Sequence, residues 1–368
     1  LADVQRSAGL PHAVIISGLR RVGKSTLLAQ LAHTLDAETF YYLNFEDPRL
    51  AGFSLADFQT LDSIFAEEFG KSANYYFDEI QVVGKWEIYV RKLVDAACKV
   101  VITGSNASLL SSELGTRLTG RHITKEIFPF SYGEYLAAKN AQPGNETFLT
   151  YLSEGGFPEY LKNGSRETLK QLLNDIIERA IIGRKGIREK NALKELAVYL
   201  VSNTGKEASL NKITKTFGIK SVNTTKAFLS YLEDSYLVFS VRLFDYSLKK
   251  QAVNPKKIYS IDTGFIGANS AASSQDLGKM LENVIFLELK RRGMETYYYK
   301  GQKECDFVVK EGTKITHAIQ VCYELTEENA GRETQGLTQA MENLKIKSGI
   351  IITAFQEEEI SLGAGKIK

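Results

Sequence analysis

Long hydrophobic runs are missing from this chain of 368 residues. Its apolar runs, Val100-Val101-Ile102 and Ile350-Ile351-Ile352 among them, fall far short of the roughly 20 apolar residues that span a bilayer, so no membrane partner is expected. Residues 1–14 mix charges with small residues and show no secretory-leader pattern. Cysteine is scarce. Cys98, Cys305 and Cys322 have no paired spacing, which argues against a disulfide framework and against a zinc finger. The four His are scattered and make no metal-ligand cluster. These absences predict a cytoplasmic protein. An excess of one charge is missing as well, with 46 Lys and Arg against 44 Asp and Glu. A basic field over the whole protein is therefore not how this chain would meet nucleic acid; only a local patch would serve. No internal repeat or low-complexity tract is seen.

The composition that remains, 43% hydrophobic and 24% charged, is that of a globular protein long enough for two to three domains. The first third alternates strands and helices. Ala13 to Ser17, Thr39 to Phe45, Tyr75 to Phe77, Lys99 to Thr103 and Ile123 to Ile127 read as strands, with a helix over Ser25 to Leu35. Continuously apolar strands at this spacing predict a buried parallel sheet with helices on its faces. A polar break falls at Ala138 to Glu146, followed by helical spacing to about Leu200. Ser209 to Phe244 reads helix, turn, helix, strand. From Pro255 the pattern returns to mixed α/β.

The segment GLRRVGKS, Gly18 to Ser25, fits G-x-x-x-x-G-K-[ST] between a strand and a helix. Such a loop wraps phosphates with backbone N–H groups at a helix N-terminus, where free donors and the dipole favour anions. Gly18, Arg20, Arg21, Val22, Gly23, Lys24, Ser25 and Thr26 are the candidate nucleotide-binding residues. Lys24 would reach the β- and γ-phosphates of ATP, and Ser25 would ligate Mg²⁺. The strand Tyr75-Tyr76-Phe77 ends in Asp78-Glu79. Asp78 is expected in the Mg²⁺ shell, and Glu79 is expected to polarise the attacking water. At the tip of the next strand, Ser105 or Asn106 would sense the γ-phosphate, or cap the following helix.

Together with LTGRHITKEIFPFSYGEYL, YLSEGGFPEYL and NPKKIYSIDTGFI, these segments resemble the prokaryotic AAA+ ATPases that carry a C-terminal domain of unknown function, over nearly the whole chain. The resemblance implies an α/β P-loop NTPase fold with an additional-strand parallel sheet, the sensor strand lying between the loop strand and the acidic strand. A helical lid, a winged helix and a degenerate restriction-endonuclease-like α/β domain would follow. It places an arginine finger or cis sensor at Arg117 or Arg121, Arg121 being favoured; otherwise these are surface arginines paired with Glu113 or Glu126. A finger would require a homo-oligomer. Gly156-Phe157-Pro158 resembles the lid motif of signal-transduction P-loop ATPases, in which Pro158 would pack on adenine.

The expected borders are 1–137 for the ATPase core, 138–204 for the lid and connecting helices, 205–250 for the winged helix and 251–368 for the last domain. Lys206, Lys212, Lys215, Lys220 and Lys226, with Asn223, Thr224 and Thr225, would face duplex DNA, or the unit would serve protein contacts. In the last domain Glu288, Asp306 and Gln320 resemble a nuclease metal site. Cys322 stands where that pattern needs a lysine, so cleavage is not expected. The reading is an ATPase using ATP and Mg²⁺ as a switch or motor linked to DNA. The alternatives are a signalling switch acting on a protein partner and, least favoured, an ATP-regulated nuclease.

Overall fold

The computed structural model describes residues 2–8, 10–34, 40–105, 118, 120–269, 276–357, 360–362 and 365–367. The chain forms two compact units. One is Leu1–Phe128 with Asp234–Tyr236, and the other is Pro129–Glu233 with Leu237–Lys368.

In the first unit, β1 (Ala13–Gly18), β2 (Tyr41–Asn44), β3 (Asn74–Asp78), β4 (Lys99–Gly104) and β5 (His122–Ile127) make a sheet of order β2-β3-β4-β1-β5. Every pairing is parallel, and the sensor strand β4 lies between β1 and β3 as expected. Alternate residues serve opposite faces. Val14, Ile16, Tyr76 and Val101 pack against α2 (Lys24–Thr34) and a helix that sequence spacing did not reveal, α1 (Ala2–Ala8). Ile15, Phe77 and Ile102 pack against α3 (Phe58–Phe69) and α4 (Trp86–Asp95). An aromatic layer fills that second face; the Phe58 and Tyr89 rings stack with centroids 4.0 Å apart. A Cβ on Gly18 would lie 2.3 Å from the Ile127 carbonyl oxygen, so only glycine lets β1 and β5 close here.

The second unit opens with α5 (Tyr132–Lys139), α6 (Asn145–Glu154), α7 (Pro158–Asn163) and α8 (Arg166–Asp175), which runs through a π-helical turn at Ile176–Ile182. Next comes α9 (Lys190–Ser202), then β6 (Lys206–Ala208), α10 (Leu210–Thr216), α11 (Val222–Asp234), β7 (Val238–Val241), α12 (Leu248–Val253) and β8 (Lys256–Ser260). The three strands pair antiparallel in the order β6-β8-β7, so this sheet reaches past the expected border at residue 250. Of the polar residues expected to face a groove, Thr225 is fully buried, and its hydroxyl shares a hydrogen bond with that of Thr214 at 2.8 Å. After α13 (Thr263–Asn269) and α14 (Leu277–Arg291), β9 (Glu295–Lys300), β10 (Glu304–Glu311) and β11 (Lys314–Val321) form an antiparallel meander. The helix α15 (Glu327–Leu344) crosses over to β12 (Ser348–Ile352), which is parallel to β11. Two short strands, Ile360–Leu362 and Gly365–Ile367, extend the edge beside β12.

Two sequence segments 106 residues apart meet at Asp262. Its carboxylate accepts from the Gly156 amide at 2.8 Å and from the Gly264 amide at 2.9 Å. A Cβ on Gly156 would fall 2.0 Å from the Phe130 carbonyl oxygen, which explains the glycine. Burial pushes Asp262 up to about 6, although both amides and Arg291 favour its charged form. The folded value lies above the unfolded one. The group therefore favours the fold most strongly below about pH 4, and that contribution is lost as pH rises through about 6. Asp262→Asn cannot ionise. Urea unfolding should find its stability relative to wild type improving by about 2–3 kcal/mol between about pH 4 and pH 8. A gap independent of pH would show that Asp262 is ionised throughout.

Candidate functional site

The loop after β1 carries two residues with left-handed backbone, Arg21 (φ 62°) and Gly23 (φ 104°), before α2 begins at Lys24. Leu19 and Val22 are buried and pin the loop to the core. Arg20 is partly exposed, and its Nη2 donates to both carboxylate oxygens of Glu46, at 3.0 and 2.9 Å. Arg21, Ser25 and Thr26 are exposed, the last two on the first turn of α2.

Lys24 is only 4% exposed. Its Nζ donates to the Leu19 carbonyl at 3.0 Å and lies 3.6 Å from Glu79 Oε1. Burial draws the Lys24 pKa down, while Glu79 and Asp78 oppose that fall. The start of α2 and the end of β3 thus converge, as the sequence motifs require.

Asp78 ends β3 and is buried. The Thr103 hydroxyl, at the corresponding level of β4, donates to Asp78 Oδ1, and Tyr42 donates to Oδ2 at 3.4 Å. The same Thr103 oxygen accepts from the Glu79 amide at 3.0 Å. Glu79 itself has φ 50° and ψ 41°, a left-handed conformation that costs a non-glycine residue about 1–3 kcal/mol. That turn brings its carboxylate to Lys24, and Gln81 donates to its other oxygen. Thr103, which holds both acidic residues, escaped the sequence reading. The signal was available: the expected strand order puts the last residue of Lys99–Thr103 beside Asp78.

The donor set suits a hard divalent cation. Mg²⁺ takes one or two carboxylates, keeps several waters and shares substrate phosphates. A buried carboxylate at Asp78 and an exposed hydroxyl at Ser25 match that chemistry.

Asn106 and Arg117 lie outside the described residues. Arg121 is described, and it is at the other end of the sheet. The parallel register pairs Ala13 with His122 and Gly18 with Ile127, so Arg121 adjoins the start of β1 while the phosphate loop follows its end. Its guanidinium pairs with Asp95 at 3.0 Å. Arg121 is thus no cis sensor here; it forms a surface ion pair, with Asp95 in place of the expected Glu113 or Glu126. Pro158 is the first residue of α7, where its missing N–H costs nothing.

The C-terminal constellation also changes. Glu288 is half-exposed and pairs with Arg292 at 2.8 Å, so it is not part of the cluster. The buried carboxylate on α14 is Glu282. Asp306 and Gln320 do come together, with the Asp306 amide 3.2 Å from Gln320 Oε1. The cation of the cluster is Lys257 on β8, 1% exposed, with Nζ 2.9 Å from Asp306, 3.1 Å from Glu282 and 2.5 Å from Glu304. Those three carboxylates hold Lys257 well above the ordinary lysine range despite its burial. A cavity of about 460 Å³ adjoins the cluster. Among the described residues no group of three or more His, Cys, Asp or Glu is arranged to hold a metal.

Residues 11–136 match the family model described as an AAA domain, and residues 145–276 match a domain of unknown function (DUF8612). The uncharacterized protein MJ1544 of Methanocaldococcus jannaschii is 36% identical over 92% of this chain and 80% of its own length. This chain belongs to the family of MJ1544. An uncharacterized protein of Haemophilus influenzae is 31% identical over 95% of this chain and 90% of its own length. Residues 11–136 are therefore an AAA-type P-loop domain, a nucleotide-binding fold. Among solved structures, the replication initiator DnaA bound to AMPPCP and single-stranded DNA aligns with a TM-score of 0.31 at 15% identity, covering 63% of this chain and 85% of that one. AMPPCP-bound DnaA from Aquifex aeolicus gives 0.30 at 14% identity over the same shares. Likenesses so slight say nothing about what this family acts on. Among the described residues no helix is long and apolar enough to cross a membrane.

Removing the Lys257 ammonium would leave buried carboxylates without their shared cation. Lys257→Ala is expected to destabilise the second unit by about 3–5 kcal/mol, read by chemical denaturation. A loss under about 1 kcal/mol would mean that water reaches the cluster and compensates.

Proposed function

We propose that this chain is a Mg²⁺-dependent ATPase of AAA+ type, acting as a nucleotide-driven switch. The reading is carried by the convergence of Lys24, Asp78 and Glu79, with Thr103 fixing the last two. The loop amides and Lys24 bind the β- and γ-phosphates of ATP, aided by the N-terminus of α2. Asp78 and Ser25 would hold Mg²⁺, which when bound neutralises charge on the phosphates. Glu79 orients a water whose oxygen attacks the γ-phosphorus as the bond to the β–γ bridging oxygen breaks. Arg117 or Arg121 would complete the site of a neighbouring copy, which makes a homo-oligomer part of the proposal.

The switch is proposed to act on duplex DNA through residues 206–260. Their element order and three-stranded sheet support a winged helix with α11 in the recognition position. Lys212, Lys215, Lys220, Lys226 and Asn223 are exposed there, as phosphate and groove contacts require. A protein partner is the second reading. It is favoured by the connection between β7 and β8, where Tyr246, Leu248 and Val253 are 80%, 77% and 73% exposed. The cluster around Lys257 supports a structural rather than a nuclease role, because its ammonium pairs with Asp306 and Glu282, and Cys322 stands where the nuclease pattern needs a lysine.

ATP turnover by the full chain, with and without duplex DNA at modest salt, tests the reading. Lys24→Ala should abolish turnover, and Glu79→Gln should lower kcat by about 100-fold or more while nucleotide binding persists. Turnover in wild type no higher than in Lys24→Ala would sink the ATPase. Stimulation by DNA supports the winged helix as its sensor; indifference to DNA moves the reading to the protein partner.

Thr103→Val keeps the shape and loses the hydroxyl. It is expected to leave ADP affinity within about threefold and cut kcat by about tenfold or more, because the two acidic residues lose their alignment. An unchanged kcat would show that Thr103 does not position them.

A further inference from the structure

Between α11 and β7 the chain makes a short excursion. Residues up to Glu233 and from Leu237 belong to the second unit, yet Asp234–Tyr236 packs as part of the first. The excursion ends on Tyr236, which is 1% exposed and has a left-handed backbone with φ 63°. Its hydroxyl donates to Ser17 Oγ at 2.8 Å. Ser17 is itself fully buried and is the last residue before Gly18, where the phosphate loop begins.

Several features of this contact are costly unless the hydroxyl is needed. A phenylalanine would fill the same space without a buried polar group to satisfy. A glycine would take the positive φ without strain. The chain keeps tyrosine, and its oxygen meets the side chain nearest the nucleotide loop on β1. Burial pushes the phenol far above its ordinary pKa, so it stays a donor at any working pH.

We infer that Tyr236 is a positioning residue that couples the phosphate loop to α11 and β7, so that nucleotide occupancy is read out in the 206–260 segment. This rests on the nucleotide-binding reading above. A shift at the end of β1 moves Ser17. Ser17 pulls on Tyr236, which is joined covalently to α11 on one side and β7 on the other. Linkage makes the effect reciprocal: whatever binds 206–260 and displaces Tyr236 changes nucleotide affinity by the same factor.

The test compares wild type with Tyr236→Phe as full-length chains. Calorimetry gives ADP affinity, and amide hydrogen exchange with and without ADP follows residues 222–241. Wild type should show exchange in this segment that depends on ADP. Tyr236→Phe should lose most of that dependence and change ADP affinity by about fivefold or more, while its Tm stays near that of wild type. Ser17→Ala removes the same bond from the other side and should match; it serves if Tyr236→Phe folds poorly. Exchange that responds to ADP equally in wild type and variants, with affinities within twofold, overturns the coupling alone. Absence of ADP binding in wild type overturns the nucleotide reading and the coupling with it.

Discussion

A buried ammonium governs the first unit. Lys24 sits almost out of water, where a cation survives only if nearby oxygens replace its hydration. The Leu19 carbonyl supplies one contact and Glu79 approaches at 3.6 Å. Glu79 can approach only because its backbone turns left-handed at the end of β3, and that turn is held by the Thr103 hydroxyl on the adjacent strand. Thr103 is in place because β4 lies between β1 and β3. The strand order, the strained turn and the Thr103 side chain together bring Glu79 to Lys24.

A second buried ammonium shows what the same chemistry does when it is closed. Lys257 has three carboxylates within 3.1 Å, one of them bonded again by Tyr259 at 2.8 Å. Lys279 adds a second cation to Glu282 at 2.6 Å. Lys24, by contrast, meets one carboxylate at a distance longer than a hydrogen bond. Lys24 is the more loosely held of the two ammonium groups.

Much of this was legible in the sequence. Five strands in a parallel sheet and the lysine and acidic motifs follow from apolar runs bounded by glycine and carboxylates, whereas the strand order came from the family resemblance. Long-range compensation was not legible. Glu282 reads as a polar helix residue until Lys257, 25 residues earlier, is known to neutralise it. Glu288 looked equally suitable and is a surface ion pair. Arg121 illustrates another limit. Its place in the chain order fits a finger, but only the β1–β5 register reveals that it lies at the end of the sheet away from the loop.

Left-handed backbone recurs at helix ends and turns in this chain, and at Gly23, Glu79 and Tyr236 it bears on the phosphate loop. At Gly23 the loop needs only the turn, and glycine provides it without a side-chain clash. At Glu79 and Tyr236 the same region of backbone is occupied by residues that pay for it sterically. In both cases the side chain reaches the phosphate loop or the strand that feeds it: Glu79 to Lys24, Tyr236 to Ser17. Packing alone would favour glycine or asparagine at either position. Each turn aims a polar group at one particular atom at the expense of backbone strain.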